Sequence, residues 1–431
     1  MNVAAVDHPT ALTTTQRRTV LAAAFLCWLC SGLQMGLTQL CTPPALTHMF
    51  TSQSGVSAGE PGKVLLGDWF ARNLAALQIG AAVGGVLFGR RADRHGRSQA
   101  MGLSVLCSAL ATGLAYFATS PIELVASRFL CGLGIGGTWP TAVALAGEAW
   151  PGASKARVAG LIGMAANVGI LVVGETGRRL LHATPDTWRT WMLVGSLPTV
   201  LGLAVVWRLP ESPTWLAQRG LPTVAQAAAA PVRELFRPAL LRNTLIGIAL
   251  ATVPLLGAWG SSKWIIPWAG DVGRKIGDPS LAANVQSYWA YGAVLASALG
   301  GWLADCFGRR TTYFTFSAAA LVGSLFTFSR LDPSHAWFMP AVFLIGISGT
   351  LFFGWLPLYL PELFPTAVRA TGIGLTYNAG RILTALGIIV AGELIRAMGD
   401  DYARVGTMTS WVYLLGMIII LFAPPGGTKK P

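Results

Sequence analysis

Charge is what this chain has least of: only 11% of its 431 residues are Asp, Glu, Lys or Arg, where a soluble domain carries about a quarter. Acids are the scarcer sign, 18 against 31 Lys and Arg, and there are just five His and six Cys. No His or Cys cluster has metal-ligand spacing. Cys27-Trp-Leu-Cys30 has the spacing of a redox pair, but it lies within an apolar run without strand–helix context and reads as packing. Neither G-x-S-x-G nor a phosphate-binding loop occurs, so hydrolase chemistry of that kind and ATP coupling within the chain are both excluded. An enzyme is not expected, nor a cofactor, nor a bound metal.

What the chain has instead is long apolar runs: 53% of residues are hydrophobic and the mean hydropathy is +0.56. A bilayer core takes roughly 20 apolar residues per helix. Twelve spans fit, near 19–46, 67–89, 99–118, 121–149, 158–180, 189–208, 243–270, 284–304, 310–329, 336–361, 369–396 and 404–424. The expected fold is an all-α membrane protein with twelve transmembrane helices in two six-helix bundles, 19–208 and 243–424. Residues 1–18 form one tail, 209–242 a linker and 425–431 the other tail. The run after Arg17-Arg18 is too long for a signal-peptide core and lacks a small-residue cleavage site, so it reads as the first helix.

A net charge of +13 invites a nucleic-acid partner, and its distribution argues against one. With the N-terminus inside, Lys and Arg fall in cytoplasmic segments over those on the other side by about two to one, the positive-inside bias of an inner or plasma membrane protein. Both termini are then cytoplasmic. The partners expected are lipids, a small molecule and, for coupling, protons; the chain is expected to act as a monomer.

One signature occurs twice. Gly89-Arg-Arg-Ala-Asp93-Arg94-His-Gly96-Arg97 and Gly301-Trp-Leu-Ala-Asp305-Cys-Phe-Gly308-Arg309-Arg310 both read G-x-x-x-D-x-x-G-R, 212 residues apart. A second pair agrees, Glu148-Ala-Trp-Pro151 followed by Arg157 against Glu362-Leu-Phe-Pro365 followed by Arg369, offset by 214. One duplication explains both, and with these motifs the chain resembles transporters of the major facilitator superfamily, built from two parallel six-helix halves. The signature reads physically as a latch. Gly89 and Gly96 permit close approach and a tight turn, and Asp93 can face the positive N-terminus of helix eleven. Arg94 and Arg97 can pair with Glu148, with Asp305, Arg309, Arg310 and Glu362 repeating the arrangement. The resemblance implies that such contacts hold the cytoplasmic side shut when the other side is open. The bland alternative is that they set loop geometry and topology alone.

The linker opens Pro210-Glu211-Ser212-Pro213, resembling the run after helix six in sugar and organic-ion branches of the superfamily. Ala227–Ala230 and the basic residues Arg233, Arg237 and Arg242 would suit a short amphipathic helix against lipid headgroups. A flexible tether would serve equally.

Ionisable residues deep in a membrane are functional candidates by default. Arg381 lies twelve residues into helix eleven, roughly 18 Å from its start and close to the midplane. Its context, Tyr377-Asn378-Ala-Gly380-Arg381, resembles a Y-N-x-G-R segment of organic-acid branches, which implies a cavity-lining arginine. A guanidinium there can clamp a carboxylate in bidentate fashion; the alternative is a structural arginine. Lys263, in Trp259-Gly-Ser-Ser-Lys263, aligns opposite Gln39 toward the outer mouth and is either a second cation for substrate or a lysine snorkelling to the interface. Arg128, beside the glycine-rich stretch Gly132 to Gly137 of helix four, is a coupling or a structural residue. Two acids of relatives are missing: Ser31-Gly32-Leu33-Gln34 stands for D-G-x-D of aromatic-acid symporters, and Gly136-Gly137-Thr138-Trp139 for G-G-E-W of sialate and lactate types. Glu148, Glu175, Glu362 and Glu393 all fall near helix ends, leaving Glu148, Glu175 or the substrate's own carboxylate to carry a proton.

The expectation is a secondary transporter of a small organic anion by alternating access. Arg381 and Lys263 would bind it, Asn378, Gln34, Gln39 and Asn167 would donate hydrogen bonds, and Trp259, Trp355 and Tyr377 would supply walls. A sugar or polyol is the alternative cargo. Multidrug efflux is disfavoured because cavity cations repel lipophilic cations. A non-transporting nutrient sensor is the alternative of another class, and the short tails speak against it.

Overall fold

The computed structural model describes residues 12–54, 60–151, 155–218, 232–365 and 368–425, and among them the regular structure is entirely helical. The first half comprises α1 (Thr14–Ser54), α2 (Glu60–His95), α3 (Arg97–Leu114), α4 (Pro121–Ala149), α5 (Lys155–Arg179) and a sixth span split into α6 (Trp188–Val194) and α7 (Pro198–Arg208). After α8 (Pro213–Gln218), the second half holds a seventh span split into α9 (Pro238–Leu256) and α10 (Ile265–Ile276). It continues with α11 (Leu281–Phe307), α12 (Arg309–Arg330), α13 (Phe338–Tyr359), α14 (Arg369–Ala397) and a last span made of α15 (Tyr402–Ser410) and α16 (Val412–Phe422). Eleven described segments are long and apolar enough to cross a membrane, and bent α11 makes a twelfth. Termination follows local chemistry: Ser120 and Glu123 form a capping box on α4, and Pro198 starts α7 after the sixth span breaks.

Two expectations need correction. The seventh span begins at Pro238, not near 243, so most of the basic linker stretch is already a 3-10 turn (Val232–Phe236) and helix. The residues expected to form an amphipathic helix, including Ala227–Ala230, lie outside the described residues. The seventh span is also not continuous: a π turn at Gly257–Ser261 and a 3-10 turn at Ser262–Trp264 interrupt it. Interruptions of this kind concentrate at functional sites.

The duplication visible in the sequence is repeated in the packing. A Cβ added to Gly80 or Gly84 of α2 would lie 2.1 or 1.9 Å from carbonyl oxygens of α4, and one at Gly132 or Gly136 would meet α2 at 2.3 or 2.0 Å. In the second half, Gly292 and Gly346 bring α11 and α13 together in the same way, both at 2.1 Å. Small residues let backbones touch where lipid supplies no hydrophobic drive.

The apolar cores show which end is shut. On the face bearing the termini, called here the terminal face, each half has its own core: one from Val20 to Val205, the other from Leu235 to Ala423. On the opposite face a single core joins both halves, with Phe70, Ala71, Leu74, Ala75 and Ile170 packed among Trp264, Val285, Trp289, Ile388 and Ile395. Glycines report the same asymmetry. Near the opposite face, a Cβ on Gly67 or Gly392 would strike Ile395 or Ala71 at 2.6 or 2.4 Å, whereas at Gly89, Gly147 and Gly374 nothing lies within 4 Å. The halves form a wedge, closed at the opposite face and open toward the termini.

Candidate functional site

At the terminal face, the repeated signature builds two matching clusters. Gly96 and Gly308 have φ of 111° and 81°, a region open to glycine, and they turn the chain from α2 into α3 and from α11 into α12. Arg97 bridges Asp93 at 2.7 Å and Glu148 at 3.2 Å. Arg309 bridges Asp305 at 2.7 Å and Glu362 at 3.1 Å. Every one of these pairs lies within one half. Asp93 therefore does not face α14 here; its carboxylate turns back to Arg97 four residues on, and its carbonyl accepts from Trp215 Nε1 at 2.9 Å. Arg94 is exposed and takes no part in the Glu148 pair. Arg310 donates from Nε to the Ala423 carbonyl at 2.8 Å rather than to a carboxylate. Arg369, exposed, donates to the Phe364 carbonyl at 3.3 Å, and the Arg157 side chain lies outside the described residues.

The linker completes the first cluster, which sequence reading missed. Glu211 accepts from the backbone N–H of Arg97 at 2.8 Å and of Ser98 at 3.1 Å, and from Ser98 Oγ at 2.7 Å, capping α3 where its dipole is positive. Ser212 Oγ donates to Glu148. The signal was the Pro-Glu-Ser-Pro run itself, whose position was noted and whose acid was not assigned. Glu148 is thus held in this cluster.

The membrane-embedded polar residues separate into several groups. Arg381 is 6% exposed, its Nε and Nη1 have no hydrogen-bond partner, and its guanidinium stands 5.2 Å from the Tyr377 ring. One turn on, the Thr384 hydroxyl is also buried and unpartnered. One turn back, Asn378 reaches across to Gly85 of α2, its Oδ1 at 3.4 Å from where a Cβ would be. Asn167 makes the symmetry-related crossing, donating from Nδ2 to Ser297 Oγ of α11 at 2.8 Å. Gly85 and Ser297 are themselves 212 residues apart, so the duplicated asparagines face a hydroxyl on one side and no side chain on the other. Trp259, in the π turn, packs against both the shared core and the first half's core.

Other expected residues point elsewhere. Gln34 donates to the Gly195 carbonyl at 2.7 Å and accepts from Thr112 Oγ1 at 2.6 Å, satisfied inside the first half. Trp355 is fully buried in the second half's own core, 4.7 Å from Tyr313 and 4.6 Å from Tyr359, with Nε1 on the Arg309 carbonyl; it is no cavity wall. Arg128 is 1% exposed and meets only Ser127 and Thr38 hydroxyls and the Met192 sulfur. Glu175 bridges the halves on the opposite side, accepting from Tyr291 at 2.9 Å and paired with Arg178 and Arg179. Gln39 is wholly buried with both amide atoms unpartnered. Lys263 is also buried, in the closed end. Gly380 packs at Ala251 and Thr252 while Gly260 packs near Ile388, which puts Lys263 roughly 15 Å nearer the opposite face than Arg381.

One buried carboxylate was overlooked. Asp68 is 3% exposed and pairs with Arg72 at 2.9 Å, where α2 meets α14. The expected start of helix two at 67 made it a terminal residue; α2 begins at Glu60, a further two turns out.

With this geometry in hand, relatives can be compared. A profile of the sugar (and other) transporter family matches residues 21–238 and 271–424. The cis,cis-muconate transport protein of Acinetobacter baylyi is 28% identical over 353 residues, covering 80% of this chain and 82% of that protein. The sialic acid transporter of Escherichia coli is 25% identical over 310 residues, covering 70% and 72%. The xylose transporter of E. coli, in an inward open conformation, superposes with a TM-score of 0.71 at 18% identity over 96% of this chain and 98% of that one, a likeness of fold. The chain is an integral membrane transporter, not an enzyme, and it belongs to the sugar (and other) transporter family of the major facilitator superfamily.

Proposed function

We propose that this protein carries a small organic anion, a carboxylate, across the membrane by alternating access, and that the wedge described above is its inward-open state. The bias of Lys and Arg toward the terminal face supports a cytoplasmic placement of that face. The observation that carries the cargo reading is Arg381: a guanidinium near the midplane, almost wholly buried, with two nitrogens unpartnered. A buried charge without a partner is costly, and a carboxylate fits its planar fork. The Asn378 amide, facing Gly85 where its counterpart finds a serine, is left to donate to the same ligand. Muconate and sialic acid, named for two relatives, are both carboxylates.

The test compares binding of an acid and its uncharged amide by wild type and Arg381→Gln. Wild type should prefer the acid; the variant should lose that preference, at about thirtyfold or more, the equivalent of roughly 2–5 kcal/mol for a desolvated charge pair. Arg381→Lys should not rescue it, because a point charge cannot reproduce the fork. A wild type that binds both equally rejects the anion and advances a sugar or polyol. Asn378→Ala should cost about one hydrogen bond, roughly 1 kcal/mol or some fivefold in affinity, while Asn167→Ala should leave affinity alone and loosen the contact between α5 and α11. Equal effects of the two on affinity would contradict the assignment.

A further inference from the structure

Lys263 is unused by that reading. It sits on the 3-10 turn after the break in the seventh span, 1% exposed, inside the core that closes the opposite face. Its Nζ has no hydrogen-bond partner and lies 3.0 Å from the centre of the Trp289 ring. The groups around it offer no counter-charge. On α2, Asp68 is taken by Arg72, and on its own helix Asp271 is taken by Arg274. On α11 the Trp289 ring faces Nζ, and on α15 Tyr402 packs against the adjoining Trp264, ring centres 6.3 Å apart. Among the described residues no ion pair reaches Nζ. An ammonium in this place has lost its water and gained one ring face, whereas a neutral amine gives up far less hydration. When the opposite mouth opens, the same nitrogen returns to water.

We propose that Lys263 is the proton carrier of the transport cycle, charged while the opposite mouth is open and neutral once the shared core closes over it. It stands in for the acids missing from helices one and four. In the loaded step, which rests on the carboxylate reading, the ammonium meets the incoming anion at the mouth. As water leaves, one Nζ–H bond breaks and one O–H bond forms on the carboxylate. The acid enters the cavity neutral and there gives its proton to water on the terminal side, the carboxylate so formed facing Arg381. In the empty protein, closure returns the proton to the water retreating from the mouth. One proton accompanies each anion, and no net charge crosses.

The test uses the substrate-free protein in nanodiscs, with spin labels at Leu180→Cys and Ile276→Cys, exposed positions on the two halves at the opposite face. The background replaces Cys107 and Cys306, the cysteines that are not buried, by Ser. Pulsed electron resonance from pH 5.5 to 9 should show the open mouth gaining as pH falls, by up to about tenfold in the open-to-closed ratio per pH unit, the slope for one linked proton. Lys263→Met should stay closed without any slope, and Lys263→Arg, unable to discharge, should favour the open mouth throughout. Should the Arg variant fail to fold, wild type and Lys263→Met still decide. A wild type with pH-independent distances overturns the proposal, as does a slope surviving in Lys263→Met. The acid–amide comparison at Arg381 is independent. A slope without acid preference removes the cargo reading and the loaded proton transfer with it, leaving only the protonation of Lys263 tied to the opening of the mouth; acid preference without a slope removes the carrier alone.

Discussion

Gly96 and Gly308 hold the same place in the two repeats, yet a methyl group should cost them differently. Both have positive φ, so alanine brings strain of about 1–2 kcal/mol at either position. At Gly308 the new Cβ meets open space, while at Gly96 it would lie 2.2 Å from Glu211 Oε2. Gly96→Ala must therefore also dislodge the cap of α3, at about 1 kcal/mol more. Thermal unfolding in detergent should rank Gly96→Ala below Gly308→Ala; equal losses would mean that Glu211 contributes nothing. At this scale the sequence revealed polarity and depth but not direction around a helix. Gly32 and Gly36 press α1 against α5, and Gln34, some 200° around from Gly32, must point away, toward Thr112 and Gly195. Gln39, three residues past Gly36, lies on the face that meets the seam. Trp355 misled for the same reason: a large aromatic in a span is conspicuous, and its azimuth is not. Arg381 and Asn378 were legible because depth and spacing sufficed to put them together.

Among the elements, hydropathy marked every span, and α4 even in its limits, since its Pro121 start and capping box are local chemistry. The break in the seventh span was hidden because a distant residue is involved: the Tyr413 ring lies against Gly257, 2.3 Å from where a Cβ would be, at the first residue of the π turn. The contact between α2 and α14 offers the sharpest test at this scale. Gly392→Trp would wedge a ring into the tight junction with Ala71 and Gly67 and should force the opposite face open. Gly89→Trp would fill empty space at the terminal face, tolerated here and obstructive when that face closes, so it should hold the present state. Labelling of single cysteines on each face reads both. If Gly392→Trp leaves the opposite-face sites protected, the shared core is not the seal.

For the whole molecule, the repeated signature predicted clusters on one face, and the structure adds that in this state each cluster is closed within its own half. We propose that the latch works by re-pairing, closure of the terminal face bringing Asp93 and Asp305 to partners in the other half. Asp93→Asn and Asp305→Asn should each shift the population further toward the state open at the termini, raising cysteine accessibility there and lowering it at the opposite face. Unchanged labelling in both would leave the clusters a role in loop geometry only. What sequence could not contain was the conformation itself, because which face is shut depends on how the two halves pack against each other.

The division of the cores also bears on how the chain is made. Besides the shared core, the first half builds two cores almost wholly from its own residues, one toward each face, only Ala283 of α11 joining the one toward the opposite face, and it should pack almost completely while the second is still on the ribosome. The second half owns only the core at the terminal face; its other apolar surface waits for Phe70, Ala71, Leu74, Ala75 and Ile170. Biogenesis should thus have a direction, with the earlier-made bundle serving as the template on which the later one finishes. Expressed as separate chains, the first half should resist proteolysis alone, and the second should do so only when the first is supplied.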